Sequence, residues 1–326
     1  MSSVVPYRFS IILPVRNGGG YVKECVQSIL SQTVQSFNLV ILDSGSTDGT
    51  IEWLQALNDP RIVIHLAERP LTITENWARV TTVQRNEWMT LIGHDDVLYP
   101  DYLATMARLI DQYPDASLYQ AHFDLIDAGG KFLRKCRPMA EKENAGQLLK
   151  KILENDINIY GTGFMMRSKD YDAVGGIPMF PNLMSADYVL WLKISSLSYK
   201  ATSQQTCFAY RLNQSTTATT KDAVYIEALK LFVDYLIRSR EQLSPAEDKN
   251  EYVKRILAFY TKRVARRLVL SEPADRENLT VSRFLEETKE YSRNFLDKDH
   301  PFDPSSFTDV RIAKLIDSTV ITRKLF

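Results

Sequence analysis

Four short, almost wholly apolar runs in the first hundred residues limit this chain more than any other feature, because each is followed by a polar turn and then a helix-periodic stretch. Phe9 to Val15 (FSIILPV) reads as a buried strand and gives way to Asn17-Gly18-Gly19-Gly20. Val22, Cys25, Val26 and Ile29 then fall at i, i+3, i+4 and i+7, one face of a helix. Phe37 to Leu42 is a second strand, and Ser46-Thr47-Asp48-Gly49-Thr50 opens a helix carrying Leu54 and Leu57. Arg61 to Leu66 is a third strand, followed by a helix near residues 74–84. Trp88 to Ile92 is the fourth and ends at Gly93-His94-Asp95-Asp96, after which Pro100 starts a helix with Leu103, Met106, Ala107 and Ile110 on its inner face. Strand–helix repeats of this length predict an α/β domain with a mainly parallel sheet covered by helices on both sides.

Further along, Ser117 to Ile126 and Gly161 to Arg167 read as strands, Asp187 to Ile194 as a short apolar helix, and Lys200 to Leu212 as extended. From about Thr219 the pattern is helical, with segments near 219–240, 249–271 and 279–296. The expected organisation is a catalytic and ligand-binding domain over residues 1–215 and an α-helical extension over 216–326. The 326 residues suit one large core and a smaller second one. Forty basic and forty acidic side chains leave no net charge, which argues against a nucleic-acid partner. Three scattered cysteines without metal-ligand spacing point to a reducing, cytoplasmic setting. The N-terminus lacks the pattern of a signal peptide and no apolar stretch is of spanning length, so any membrane contact is expected to be peripheral.

In open α/β sheets ligands bind beyond the carboxyl ends of the strands. Asp43, Ser44, Asp95, Asp96 and the loop from Pro14 to Asn17 all lie at such ends. Adjacent carboxylates repel each other and resist desolvation unless a cation neutralises them. A hard divalent ion, Mg²⁺ or Mn²⁺, does this with one or two carboxylates and completes its shell with phosphate and water. A solvated acidic cluster at a helix N-terminus would account for the pair alone equally well.

The segments around the pair separate these readings. FSIILPVRN (9–17), VILDSGSTDGT (40–50) and LIGHDDVLYP (91–100), with Asn76-Trp77, GTGFMMRSKDYDAVGG (161–176), DYVLWLK (187–193) and Tyr210-Arg211-Leu212, follow one another in the order found in family 2 glycosyltransferases, which the chain resembles over roughly residues 8–215. That resemblance implies a GT-A fold, a Rossmann-like mixed sheet flanked by helices. It also implies a nucleoside-diphosphate sugar donor of the UDP or TDP type, and a sugar or lipid-linked acceptor. Pro14, Val15 and Asn17 would line the base and ribose, and Asp43 and Ser44 would meet the pyrimidine. Asp95 and Asp96 would hold ribose and metal, with Asp96 the direct ligand. Asp187 matches the acid used as catalytic base, and the reaction would invert the anomeric centre. Two positions depart from the family pattern: Gly93 stands where many members carry an Asp two residues before the pair, and Ser44 replaces the second acid of Asp-Asp-Gly.

Asn76-Trp77 would cover donor or acceptor, and Arg211 and Asn213 would reach the diphosphate, since arginine suits phosphate geometry. His94 is expected to tune the pair rather than ligate, and Gly18-Gly19-Gly20 fails the dinucleotide spacing because Lys23 stands at the last glycine. The helix at 252–270 carries Lys254, Arg255, Lys262, Arg263 and Arg266 on one broad face. It could rest on the inner face of a membrane, or pack its apolar side on the protein. The leading expectation is a metal-dependent sugar transferase in surface polysaccharide or glycolipid assembly. The alternatives are a nucleotidyltransferase and a catalytically degraded nucleotide-sugar-binding module.

Overall fold

A computed structural model describes residues 7–212 and 220–318. They form two compact units, one of residues 1–179 with 186–215, the other of residues 180–185 with 216–326.

The first unit is built on a ten-stranded mixed sheet. Its strands are β1 (Phe9–Val15), β2 (Phe37–Asp43), β3 (Ile62–His65), β4 (Trp88–Leu91), β5 (Val97–Leu98), β6 (Leu118–Ile126), β7 (Phe132–Lys135), β8 (Lys142–Glu143), β9 (Phe164–Arg167) and β10 (Lys200–Arg211). They line up as β3-β2-β1-β4-β9-β6-β10-β5, with β7 beside β6 and β8 beside β10. The first four strands are parallel, as the alternation of apolar runs and helices predicts. β9 enters antiparallel to both β4 and β6, and β6 then pairs in parallel with β10. The sheet is therefore mixed, as expected of the GT-A fold. Ile11, Ile12, Leu13, Leu39, Ile41, Met89 and Leu91 are all buried, because strands covered on both faces carry unbroken apolar runs.

Among the described residues this unit has the helices α1 (Gly19–Leu30), α2 (Thr50–Ala56), α3 (Ile73–Ala78), α4 (Tyr102–Gln112), α5 (Ala145–Leu153), α6 (Ser168–Ala173) and α7 (Ala186–Ser195). The helix expected over 74–84 is shorter, since α3 passes at Arg79 into a single 3₁₀ turn ending at Thr82. Its start is fixed by a capping box between Thr72 and Glu75. Helix α5, unread in the sequence, is likewise opened by a box between Asn144 and Gln147. Where the loop before β9 crosses β10, Gly163 adopts φ +78°, and a Cβ there would lie 2.2 Å from the Phe208 ring, so only glycine fits.

The second unit holds α8 (Asp222–Arg238), α9 (Arg240–Leu243), α10 (Lys249–Leu270), α11 (Val281–Ser292) and α12 (Thr308–Ser318). The helical character expected after residue 219 is present, and α12 adds a segment the periodicity did not reveal. Helix α10 buries Val253, Ile256, Leu257, Tyr260, Val264 and Leu268, and it packs against α8, α11 and α12. Of the two readings of 252–270, packing of the apolar side on the protein is the one this helix displays. Several of its cations are also paired within the unit, Arg255 with Glu247 and Arg267 with Asp222. No described helix is long and apolar enough to cross a membrane.

Candidate active site

The loops after β1 and β2 are laced to each other. Parallel pairing sets Val15 opposite Asp43, and the next residue, Ser44, donates its N–H to the Val15 carbonyl (3.0 Å). Asn17 takes the left-handed region at φ 52°, a conformation its short amide tolerates. Its Oδ1 accepts the Thr47 N–H at 2.8 Å, and its own N–H reaches the Ser46 hydroxyl at 2.9 Å. The buried Asp43 carboxylate accepts backbone N–H groups from Gly45 (2.8 Å) and Ser46 (3.2 Å). Pro14, Val15, Asn17, Asp43 and Ser44 thus share one rim of the first unit.

Asn76 supports this rim from beneath. It is buried, its amide nitrogen donates to the Leu42 carbonyl (2.7 Å), and its Oδ1 accepts from Arg79 (2.9 Å). Arg79 also donates to the carbonyls of Asp43 (2.7 Å) and His65 (2.9 Å), tying together the ends of β2 and β3. The direct ligand contact expected of Asn76 gives way to this brace, because its side chain is turned onto backbone. Neighbouring Trp77 is half-buried, beside Gly161.

The carboxylate pair follows β4. Asp96 is buried and Asp95 half-buried, and both side chains fold back over Gly93. A Cβ at Gly93 would come within 2.9 Å of Asp95 Oδ1 and 2.9 Å of Asp96 Oδ2. Glycine at this departure from the family pattern therefore leaves room for both carboxylates to converge. Asp96 Oδ1 accepts the Arg211 backbone N–H at 2.9 Å, and the Thr162 hydroxyl also bonds Asp96. Burial, reinforced by the charge of Asp95, pushes the Asp96 carboxyl well above the ordinary range.

Arg211 meets a different geometry from the reach to phosphate expected of it. Its side chain is buried and wholly engaged with protein: Nε donates to the Asp95 carbonyl (2.7 Å), Nη1 to those of Asp127 (3.3 Å) and Ala128 (3.2 Å), and Nη2 to the Glu24 carboxylate (2.6 Å). It staples the Asp95–Asp96 turn to α1 and to the loop after β6. Asn213 lies outside the described residues. His94 is half-buried. His122 has both ring nitrogens engaged, with the Ser203 carbonyl (2.9 Å) and the Met139 N–H (3.1 Å), which makes it structural.

Asp187 is the second residue of α7, and its Oδ1 accepts the N–H of Tyr188 (2.9 Å). The helix behind it is apolar on every side and buries Val189, Leu190, Trp191, Leu192 and Ile194, which holds its first turn rigidly. Surrounding protein pushes the half-buried Asp187 carboxyl up to about 7, against the pull of its two backbone hydrogen bonds. A short chain of contacts connects it with the carboxylate pair. Trp191, one turn along α7, donates its indole N–H to the Tyr160 carbonyl (3.1 Å). Tyr160 stacks on Tyr210 at 3.7 Å, and Arg211, next in the chain, bonds Asp96. Asp95, Asp96 and Asp187 all act electrostatically on the Tyr210 hydroxyl.

Thr162, Tyr160, Tyr210, Glu24 and Arg79 were not read from sequence as site residues. Tyr210 stood beside a residue that was singled out, but nothing in its local pattern sets it apart from an ordinary strand tyrosine.

The family described as glycosyl transferase family 2 matches residues 10–175, half of the chain. The chain belongs to this family. Curated relatives include glycosyltransferase GlyG of Streptococcus pneumoniae, 25% identical over 38% of this chain and 42% of its own length. They also include a PGL/p-HBAD biosynthesis glycosyltransferase of Mycobacterium bovis, 32% identical over 34% of this chain and 44% of its own. The matched region therefore spans less than half the length of these relatives. Among solved structures, S. aureus TarS 1–349 in complex with UDP-GlcNAc superposes with a TM-score of 0.61 at 13% identity, over 95% of this chain and 91% of that one. Its UDP complex gives a TM-score of 0.57. At this identity the likeness establishes the shared GT-A fold. The family match ends before Asp187 and Arg211.

Proposed function

We propose that the protein transfers a sugar from a nucleoside-diphosphate sugar to an acceptor hydroxyl with inversion, using a divalent cation, in assembly of a surface polysaccharide or glycolipid. The observation that carries this reading is the convergence of the Asp95 and Asp96 carboxylates over Gly93 at the end of β4, with Asp187, its carboxyl raised to about 7, linked to them through Trp191, Tyr160 and Tyr210. Family membership and the UDP-GlcNAc carried by the structurally similar TarS support a UDP-type donor.

The donor set suits a hard cation in part: two carboxylates meet over Gly93, one of them buried beside a like charge that a cation would relieve. Among the described residues no group of three or more His, Cys, Asp or Glu is placed to hold a metal ion, so diphosphate and water would complete the shell. Mn²⁺ or Mg²⁺ held there would supply Lewis-acid stabilisation of the departing diphosphate. Asp43, Ser44 and the Pro14–Asn17 loop bind and orient the nucleoside, while Asn76 and Arg79 hold that rim in register. Asp187 accepts the proton of the acceptor hydroxyl as the oxygen attacks from the side opposite the leaving group. A base near 7 is well matched to this task at neutral pH, because it is partly ionised and strong enough to draw the proton.

Thermal melting with UDP and Mn²⁺ or Mg²⁺ tests the reading. UDP with cation should raise the midpoint, and the Asp96→Ala variant should lose the cation-dependent part. Hydrolysis of a panel of UDP- and TDP-sugars then identifies the donor. Failure of both nucleotides with every divalent ion would remove the proposal.

A further inference from the structure

Resting on the reading of Asp187 as the acceptor's base, the wall beside it identifies the kind of molecule that carries the hydroxyl. Tyr160 and Tyr210 stack with ring centroids 3.7 Å apart and planes 3° from parallel. A second stack adjoins them: Phe123 lies on Phe208 at 4.7 Å and meets Tyr160 edge-on at 5.9 Å. The phenylalanines are buried, whereas both tyrosines are only half-buried. Hydrogen bonds tie this open end of the aromatic layer to both functional groups. Trp191, on the helix of Asp187, holds the Tyr160 carbonyl, and Arg211, next to Tyr210, holds Asp96.

The hydroxyls are equipped differently. Tyr160 has the Asn158 side chain beside its hydroxyl, and Asn158 Oδ1 in turn accepts N–H groups from Arg134 (3.2 Å) and Arg137 (2.9 Å). The Tyr210 hydroxyl makes no hydrogen bond to any described residue. A phenol keeps its proton at neutral pH, so this hydroxyl is available as a donor.

A ligand suited to this wall has a flat apolar face to lie on tyrosine and a dense set of hydroxyls at its edge. A pyranose has both. An acyclic polyol lacks the face, and a lipid alcohol lacks partners for the phenol and amide. We infer that Tyr160 and Tyr210 form the acceptor wall and that the acceptor is a saccharide ending in a pyranose ring, packed on the tyrosines and bonded by the Tyr210 hydroxyl.

Saturation-transfer NMR of the full chain with UDP and Mg²⁺ tests this. The probes are methyl glycosides of glucose, galactose, mannose and N-acetylglucosamine, with glycerol and ribitol as acyclic controls. Transfer to ring protons of at least one glycoside is expected, with none to the controls. It should fall sharply in Tyr160→Ala and Tyr210→Ala, while the UDP-induced thermal shift persists. Tyr210→Phe keeps the packing and should weaken glycoside binding by about 3–10-fold, the worth of one hydrogen bond. Equal binding of ribitol, absence of glycoside binding, or transfer undiminished in the alanine variants overturns the inference. Loss of the UDP shift together with glycoside binding in Tyr160→Ala or Tyr210→Ala would overturn it too, by assigning the wall to the donor. If UDP never shifts the wild-type melt but glycosides bind through the tyrosines, the donor reading fails and the saccharide wall stands.

Discussion

Replacing Asp187 by Asn should make the protein more stable at alkaline pH while removing its proposed activity. Asp187 titrates near 7 in the folded chain against 3.8 for a free side chain. The folded state therefore binds the proton more tightly than the unfolded one, and stability falls as pH rises from about 4 through 7. About three units at 1.36 kcal/mol each gives roughly 4 kcal/mol as the full cost of an ionised Asp187. The group is half-buried, and solvent screening reduces this to about 1–2 kcal/mol. Asparagine resembles the protonated acid in shape and carries no charge. At pH 8, without added divalent cation, Asp187→Asn should gain about 1–2 kcal/mol, some 2–8 °C in melting temperature for a domain of this size. At pH 5, where wild-type Asp187 holds its proton, the two proteins should melt together. Transfer should fall by about 10²–10⁴-fold if the residue is the base. Melting curves at the two pH values and a coupled UDP-release assay read both effects. An equal gain at pH 5 and pH 8, or a loss at pH 8, would refute the argument that burial destabilises this carboxylate.

Gly93→Ala should leave the fold intact, since the nearest atoms to a Cβ belong to the Asp95 and Asp96 carboxylates, but it should push Asp95 and Asp96 apart. The cation-dependent UDP thermal shift should then fall by about tenfold in apparent affinity, about 1.4 kcal/mol. Arg211→Met should lower stability by about 1–3 kcal/mol in urea unfolding, because it leaves the carbonyls of Asp95, Asp127 and Ala128 without their donor. Asn76→Ala should cost about 1–3 kcal/mol by leaving the Leu42 carbonyl unpaired, and it should weaken UDP binding by loosening Asp43. Calorimetric titration with UDP checks the second part.

The sheet was legible from residue 9 to residue 92 because strands buried on both faces are written as uninterrupted apolar runs, and the intervening helices keep their own period. Beyond that point the rule changes. β9 is antiparallel between parallel neighbours, and β5 and β8 are two-residue strands whose existence depends on what β10 offers them. No local pattern encodes such pairings. Among site residues, the acids at strand ends could be read because charged side chains are costly there without a purpose. Arg211 and Asn76 could be singled out but not interpreted: a polar side chain has the same sequence signature whether it faces ligand or holds backbone. Tyr160 carried no signal and Tyr210 stood out only within Tyr210-Arg211-Leu212, since only the fold makes the two rings neighbours.

Arg211 makes the acidic turn a late product of folding. Asp95 and Asp96 emerge early in the chain, yet the groups that seat them, the Arg211 N–H on Asp96 and its guanidinium on the Asp95 carbonyl, arrive more than a hundred positions afterwards. A fragment cut to the span that the family match covers would keep both acids and every strand before β10, but it would lack the clasp that orients them. If the pair holds an ion as proposed, that competence depends on the last strand being laid into the sheet.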